Sequence, residues 1–146
     1  MGAALAIFAT RAYAAGQTKP LPNTPFKVTV DAKAKLTPQS GSDAADIHLG
    51  NDGVPLQVKK RGFSVLGDTL EEVLQSLAKD HSPILKKEGS GNTFTIAWSD
   101  APAEGRPLVQ YMRFFSVDGK DWECYAGGID KSEVAAYDRI CKSVKK

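Results

Sequence analysis

Apolar and polar positions alternate with a period of two over several short stretches of this chain, and with a helical period over two others. Phe26, Val28 and Val30 alternate with polar neighbours over 26–31, the pattern of a strand buried on one face. Residues 15–25 carry three prolines and read as an extended lead-in, and 37–44 as a loop. Two further strands, 45–49 and 54–60, flank a turn at Gly50-Asn51-Asp52-Gly53. Val54, Leu56 and Val58 share a face of the second, and Pro55, which lacks an amide N–H, puts that strand at a sheet edge.

Over 69–80 the period changes to that of a helix. Leu70, Val73, Leu74, Leu77 and Ala78 form one apolar stripe. Asp68 is placed to cap its start with Glu71 three residues on, and Pro83 stops it. Strand patterns then return: a short one at 84–88, a turn at Gly89-Ser90-Gly91-Asn92, and Thr93 to Trp98 with Phe94, Ile96 and Trp98 on one side. After a polar loop, 99–106, a long strand from Leu108 to Val117 meets a second, Lys120 to Ala126, across the hairpin pair Asp118-Gly119. That register sets Phe115 and Trp122 on one face. A second helix spans about 131–144, with Asp130 and Glu133 at capping-box spacing and Val134, Tyr137, Ile140, Cys141 and Val144 facing inward.

Runs of antiparallel strands with helices between them predict an α+β fold. The expected architecture is a sheet of about five to seven strands covered by two helices, in the order β-β-β-α-β-β-β-α. The organisation expected is a leader over 1–14, the lead-in over 15–25 and a single globular domain over 26–146.

Length and charge change this picture little. At 146 residues the chain is one domain long and can bury a real core. A net charge of +2 gives no overall field to draw nucleic acid or a membrane surface. The basic runs Lys59-Lys60-Arg61 and Lys142 to Lys146 read as solvated faces.

The first residues change it more. Met1 to Thr10 is a short apolar run, and Ala12-Tyr13-Ala14 after it is an A-x-A cleavage site. The run is too short to cross a bilayer. It lacks the preceding positive charge of a signal peptide, since Arg11 follows it; a buried N-terminal helix is the competing reading. Export to the periplasm or outside is expected, with cleavage after Ala14. An even cysteine count fits an oxidising compartment. Cys124, in a strand, and Cys141, on the inward stripe of the last helix, are expected to bond; two free buried thiols are the alternative.

Motifs for chemistry are missing. His48 and His81 are the only histidines, and Asp46-x-His48 and Asp80-His81-Ser82 are sequence neighbours rather than a catalytic geometry. Asp43, Asp46 and Asp52 do not match a calcium loop, and the glycines do not make a phosphate loop. No catalytic residue, metal or cofactor is therefore expected. The aromatics cluster late, and the strand around Tyr111-Met112-Arg113-Phe114-Phe115 is large on both faces. Trp98, Arg106, Tyr111, Arg113 and Phe115 are the candidate interface for a protein partner, with the loop 99–106 beside them.

The element order, the long aromatic strands and the segment Tyr137-Asp138-Arg139-Ile140-Cys141-Lys142-Ser143-Val144 resemble the exported PsbP/Mog1-like proteins over most of 26–146. The resemblance implies an antiparallel sheet between helices, a closing C-terminal helix and an accessory or partner-binding role without an active site. It transfers no functional residue. The expected function is a non-catalytic exported binding or accessory protein. A periplasmic immunity protein that neutralises a toxin, and a small exported hydrolase or hydrolase inhibitor, are the alternatives.

Overall fold

The computed structural model describes residues 16–50, 54–62, 64–100 and 107–146. The expected leader at 1–14 and Arg106 lie outside them. Two strands, β1 (Gln17–Pro20) and β2 (Lys27–Val30), pair antiparallel as a small separate sheet. The main sheet has seven strands: β3 (Lys35–Pro38), β4 (Ala44–His48), β5 (Leu56–Lys60), β6 (Ile84–Ser90), β7 (Thr93–Asp100), β8 (Leu108–Val117) and β9 (Lys120–Ile129). Their spatial order is β3-β4-β5-β9-β8-β7-β6, with every neighbour antiparallel. Two meanders thus lie side by side, joined where β5 pairs with β9. Helix α1 (Leu70–Lys79) carries the chain from the middle of the sheet to its far edge, and α2 (Val134–Ser143) closes the chain behind a 3-10 turn at Lys131–Glu133. The fold is α+β, as the pattern predicts, with five strands before α1 and four after it.

The two helices lie on opposite faces of the sheet. Leu70, Val73 and Leu77 of α1 pack on Phe94, Ile96, Trp98, Met112 and Phe114. Burying each such side chain contributes about 1.5–3 kcal/mol. On the other face Tyr137, Ile140 and Cys141 of α2, together with Phe26, Val28 and Val30, cover Leu56, Val58, Tyr111, Phe115, Trp122 and Cys124. Phe26 meets Phe115 and Trp122 edge to face, with centroids 5.7 and 4.8 Å apart. Large residues on both faces of β8 are therefore explained by a helix on each side.

Several local readings need correction. Thr69, not Asp68, caps α1: its Oγ1 accepts from the Glu72 N–H at 3.2 Å. The Asp68 carboxylate is held by Arg61 at 2.6 Å, and Glu72 rather than Glu71 reaches back to the Asp68 N–H. Pro55 precedes β5 and owes the ladder no N–H, so it does not make β5 an edge; β5 lies between β4 and β9. The lead-in contains β1, and the 37–44 loop is shortened by β3, because Lys35–Pro38 finds β4 as partner. The strand after Pro83 runs to Ser90, β7 continues to Asp100, and β9 continues to Ile129. Asp118 and Gly119 form the hairpin turn, both at positive φ (52° and 73°), and align Val117 with Lys120 and Phe115 with Trp122.

Candidate functional site

The α1 face of the sheet is only half covered. α1 lies over β6 and β7. Among the described residues no helix lies over the same face of β3, β4 and β5. Period two sends Leu56 and Val58 of β5 into the α2-side core and leaves Gln57 and Lys59 facing out. In the same way β4 presents Asp46 and His48, and β9 presents Glu123 and Tyr125.

These outward residues form a ladder of hydrogen-bonding side chains across the strands. Register aligns Thr37 with Asp46, Asp46 with Gln57, Gln57 with Tyr125, and Trp98 with Gln110. Asp46 Oδ1 accepts from Gln39 Nε2 at 2.9 Å and from Gln57 Nε2 at 3.5 Å. Beyond Gln57, Tyr125 Oη donates to Gln110 Oε1 at 2.5 Å, and Gln110 Nε2 donates to Asp100 Oδ2 at 2.7 Å. Burial, then the charges of Asp100 and Glu123, push the Tyr125 hydroxyl above its ordinary pKa, so it remains a donor at neutral pH. One row further along, Lys59 pairs with Glu123 at 2.9 Å.

The ladder floors an open depression of about 450 Å³, with Val54, Pro55 and Gly127 at its margin. Gly127 leaves room there for the Tyr125–Gln110 pair. A Cβ on it would stand 2.5 Å from both Tyr125 Oη and Gln110 Oε1. Gly127 and Gly128 together oppose Gln110, one extra residue in β9 where the register with β8 shifts, Tyr111 facing Ala126 and Val109 facing Ile129. A bulge of this kind re-aims neighbouring side chains. Exposed Val54 and Leu108 add apolar surface at this end of the sheet.

The candidate interface residues do not come together. Trp98 faces α1 and is buried beside Gln110. Tyr111, Arg113 and Phe115 point to the opposite face. Tyr111 is fully buried and donates to Asp138 Oδ1 at 2.8 Å, and Phe115 lies under Phe26. Arg113 donates to Thr95 Oγ1 at 2.9 Å. The sequence reading thus reached the edge of the ladder at Trp98 and missed its members. The signal was present in the outward alternation of β5 and β9 and in the Gly127-Gly128 pair.

Other clusters are tied up within the fold. Lys86, Glu88, Asp138 and Lys142 form an ion network between β6 and α2, at 2.7–3.5 Å. Hydrogen bonds from Lys142 and Lys86 hold the Glu88 carboxyl at about 2. Burial, then the bond to Asp138, pushes the Tyr111 hydroxyl far above its ordinary value. His48 Nε2 is bonded to Thr37 Oγ1 at 3.2 Å, and His81 closes α1 in a left-handed conformation (φ 53°). Asp46 and His48 share a face, yet each bonds other residues. Among the described residues no three His, Cys, Asp or Glu side chains are placed to hold a metal. Cys124 and Cys141 are bonded, S–S 2.02 Å and Cα–Cα 5.9 Å, a pair compatible with an exported protein. No helix among the described residues is long and apolar enough to cross a membrane.

No family model, curated protein or solved structure matches this chain.

Proposed function

We propose that this protein is an exported, non-catalytic binding or accessory protein whose ligand seats on the uncovered half-face of the sheet. The observation that carries the reading is the ladder of Gln39, Asp46, Gln57, Tyr125, Gln110 and Asp100 on a face that α1 covers only in part. Its side chains are held in place by one another before any ligand arrives, which lowers the cost of ordering them on binding. All of them except Gln39, which follows β3, sit on strands, so their spacing is fixed by the sheet. Export rests on the 1–14 pattern and on the Cys124–Cys141 pair.

Two measurements test this. The mature protein from its native host is expected to begin at Ala15 by mass; a species that retains Met1 removes the export half. NMR spectra of the labelled protein, titrated with the extracellular or periplasmic fraction of that host, are expected to shift amides of β4, β5 and β9 around the ladder. Shifts confined to the α2 face would place the functional surface elsewhere.

A further inference from the structure

We infer that the ligand of this half-face is a short, uncharged oligosaccharide lying across the strands along the ladder. The inference rests on the proposed binding role of the face and names the ligand class.

Size decides first. The ladder from Gln39 to Asp100 crosses five inter-strand steps, β3 to β4 to β5 to β9 to β8 to β7, about 24 Å at ~4.8 Å each, and β3 to β5 are only about 15 Å long at ~3.3 Å per residue. That is a flat footprint of roughly 360 Å², below the roughly 800 Å² of accessible surface that each partner buries in a standard protein interface. The patch is too small to be the main contact of a protein partner and suits a few linked rings.

Charge decides next. The ladder holds two carboxylates, Asp46 and Asp100, and no cation. The basic groups one register row from it on this face are Lys59, paired with Glu123, and Lys35, opposite His48. Phosphates, sulfates and acidic sugars laid along the rungs would face the two carboxylates directly.

The donor–acceptor chemistry then selects hydroxyl groups. Three side-chain amides, two carboxylates and a phenol offer donors and acceptors in alternation. Both amides that reach Asp46 bond the same oxygen, Oδ1, which leaves Oδ2 as an acceptor. A sugar hydroxyl both donates and accepts, so successive hydroxyls match successive rungs. One strand spacing is close to the length of one pyranose ring, which lets a linear chain keep step with the ladder. Val54 and Leu108 at the open end give the apolar face of a ring a surface to lie on.

The test is an NMR titration of the labelled full chain with short cello-, chito-, malto- and xylo-oligosaccharides, and separately with an oligolysine peptide. At least one saccharide is expected to shift the amides of Asp46, Gln57, Tyr125 and Gly127 in a saturable manner. Tyr125→Phe keeps the ring and loses the donor, and Gln57→Ala removes one rung; each is expected to weaken that saccharide about tenfold. Unchanged wild-type affinity in both variants overturns the inference, because the sugar then sits elsewhere. No saccharide shift, with the same amides moved by oligolysine or by a component of the host fraction, overturns the ligand class and leaves the binding face standing. Silence from every probe removes both.

Discussion

Gly127 is the residue on which the candidate site depends most directly. Its hydrogen stands where a methyl would press on both partners of the Tyr125–Gln110 hydrogen bond, 2.5 Å from each oxygen. Gly127→Ala must therefore part the pair or shift the bulge. Both displaced oxygens are free ends of side chains, so the cost is that of the lost hydrogen bond, about 0.5–1.5 kcal/mol. Urea denaturation of Gly127→Ala is expected to show that loss, and alkaline difference spectroscopy a Tyr125 that ionises closer to the ordinary tyrosine range. Gly128→Ala, at φ 72° but with only Leu108 within 4.0 Å of its added carbon, is expected to lower stability through backbone strain and to leave Tyr125 unchanged. Equal optical effects from both would show that the bulge as a whole, and not the contact at Gly127, holds the pair.

At the scale of elements, α2 is the piece most tightly tied down. Its Cys141 bonds Cys124 of β9, and its Asp138 accepts from Tyr111 of β8. Tyr137 Oη donates to the carbonyl of Val54 at 3.1 Å, and Ser143 Oγ accepts from the Thr29 N–H at 2.9 Å. Residues that follow the helix continue the attachment, because Lys27 and Lys145 exchange backbone hydrogen bonds. The bridge joins residues 17 apart in sequence, and the chain-entropy treatment of such a loop gives about 3 kcal/mol. Both cysteines are buried, at 0% and 1% exposure, so reductant reaches them only when α2 lifts. The native protein is expected to resist alkylation in reductant until denaturant is added. The double variant Cys124→Ala, Cys141→Ala is expected to melt at lower temperature by an amount that matches those ~3 kcal/mol.

The ion network under α2 gives a second element-scale prediction. Glu88 is held at about 2 against an ordinary 4.5. A depressed carboxyl adds stability above its unfolded value and loses it as pH falls through the folded one. The contribution is thus intact above about pH 4.5 and gone near pH 2. With 45% of the Glu88 side chain exposed, water screens it to about 1 kcal/mol or less. Glu88→Gln is expected to melt lower than wild type at pH 7 and to converge with it near pH 2. A constant offset across that range would mean packing, not charge, is what Glu88 contributes.

Elements of this kind were legible in the sequence to different degrees. The Asp118-Gly119 hairpin and the Asp130–Glu133 cap stand where their residues predict, because each is set by neighbours in the chain. β1 and β3 were not legible. Gln17–Pro20 and Lys35–Pro38 carry little apolar alternation and become strands only because β2 and β4 offer them a partner. The polar ladder was hidden for a similar reason. Gln57 lies on a strand far in sequence from the β8–β9 hairpin that carries Gln110 and Tyr125, and only the β5–β9 pairing and the shifted β8–β9 register bring the three together. Gly127-Gly128 is the local clue, and it signals a bulge without saying which side chains the bulge serves.

For the whole molecule, the join between β5 and β9 decides how stability is distributed. β9 and β8 lie at the centre, each ten residues long and paired on both sides. β9 is held on one face by α2 through the disulfide, and β8 is covered on both. The two outer strands are less secure. β3 has four residues, ends at Pro38 and pairs only with β4. β6 has one neighbour and a register shift between Ile84 and Lys86, and its Lys86 and Lys87 discourage pairing with another chain. Native-state hydrogen exchange is expected to follow this gradient. Amides of Tyr111 to Phe115 and Trp122 to Ala126 are expected to exchange only with global unfolding, and those of β3 by local opening at much lower free energy. The uncovered half-face falls between these limits, since β4 and β5 are paired on both sides but covered on one. An oligosaccharide lying across β3, β4, β5 and β9 would couple the weak edge to the strong centre. A ligand that binds only the native state slows the globally exchanging amides of β8 and β9 by the full factor 1 + [L]/Kd, and is expected to slow those of β3 and β4 as much, because their local opening breaks the site. Protection that rises in β8 and β9 but not in β3 and β4 would instead mean that the ligand stays bound while those strands open, and so sits off them.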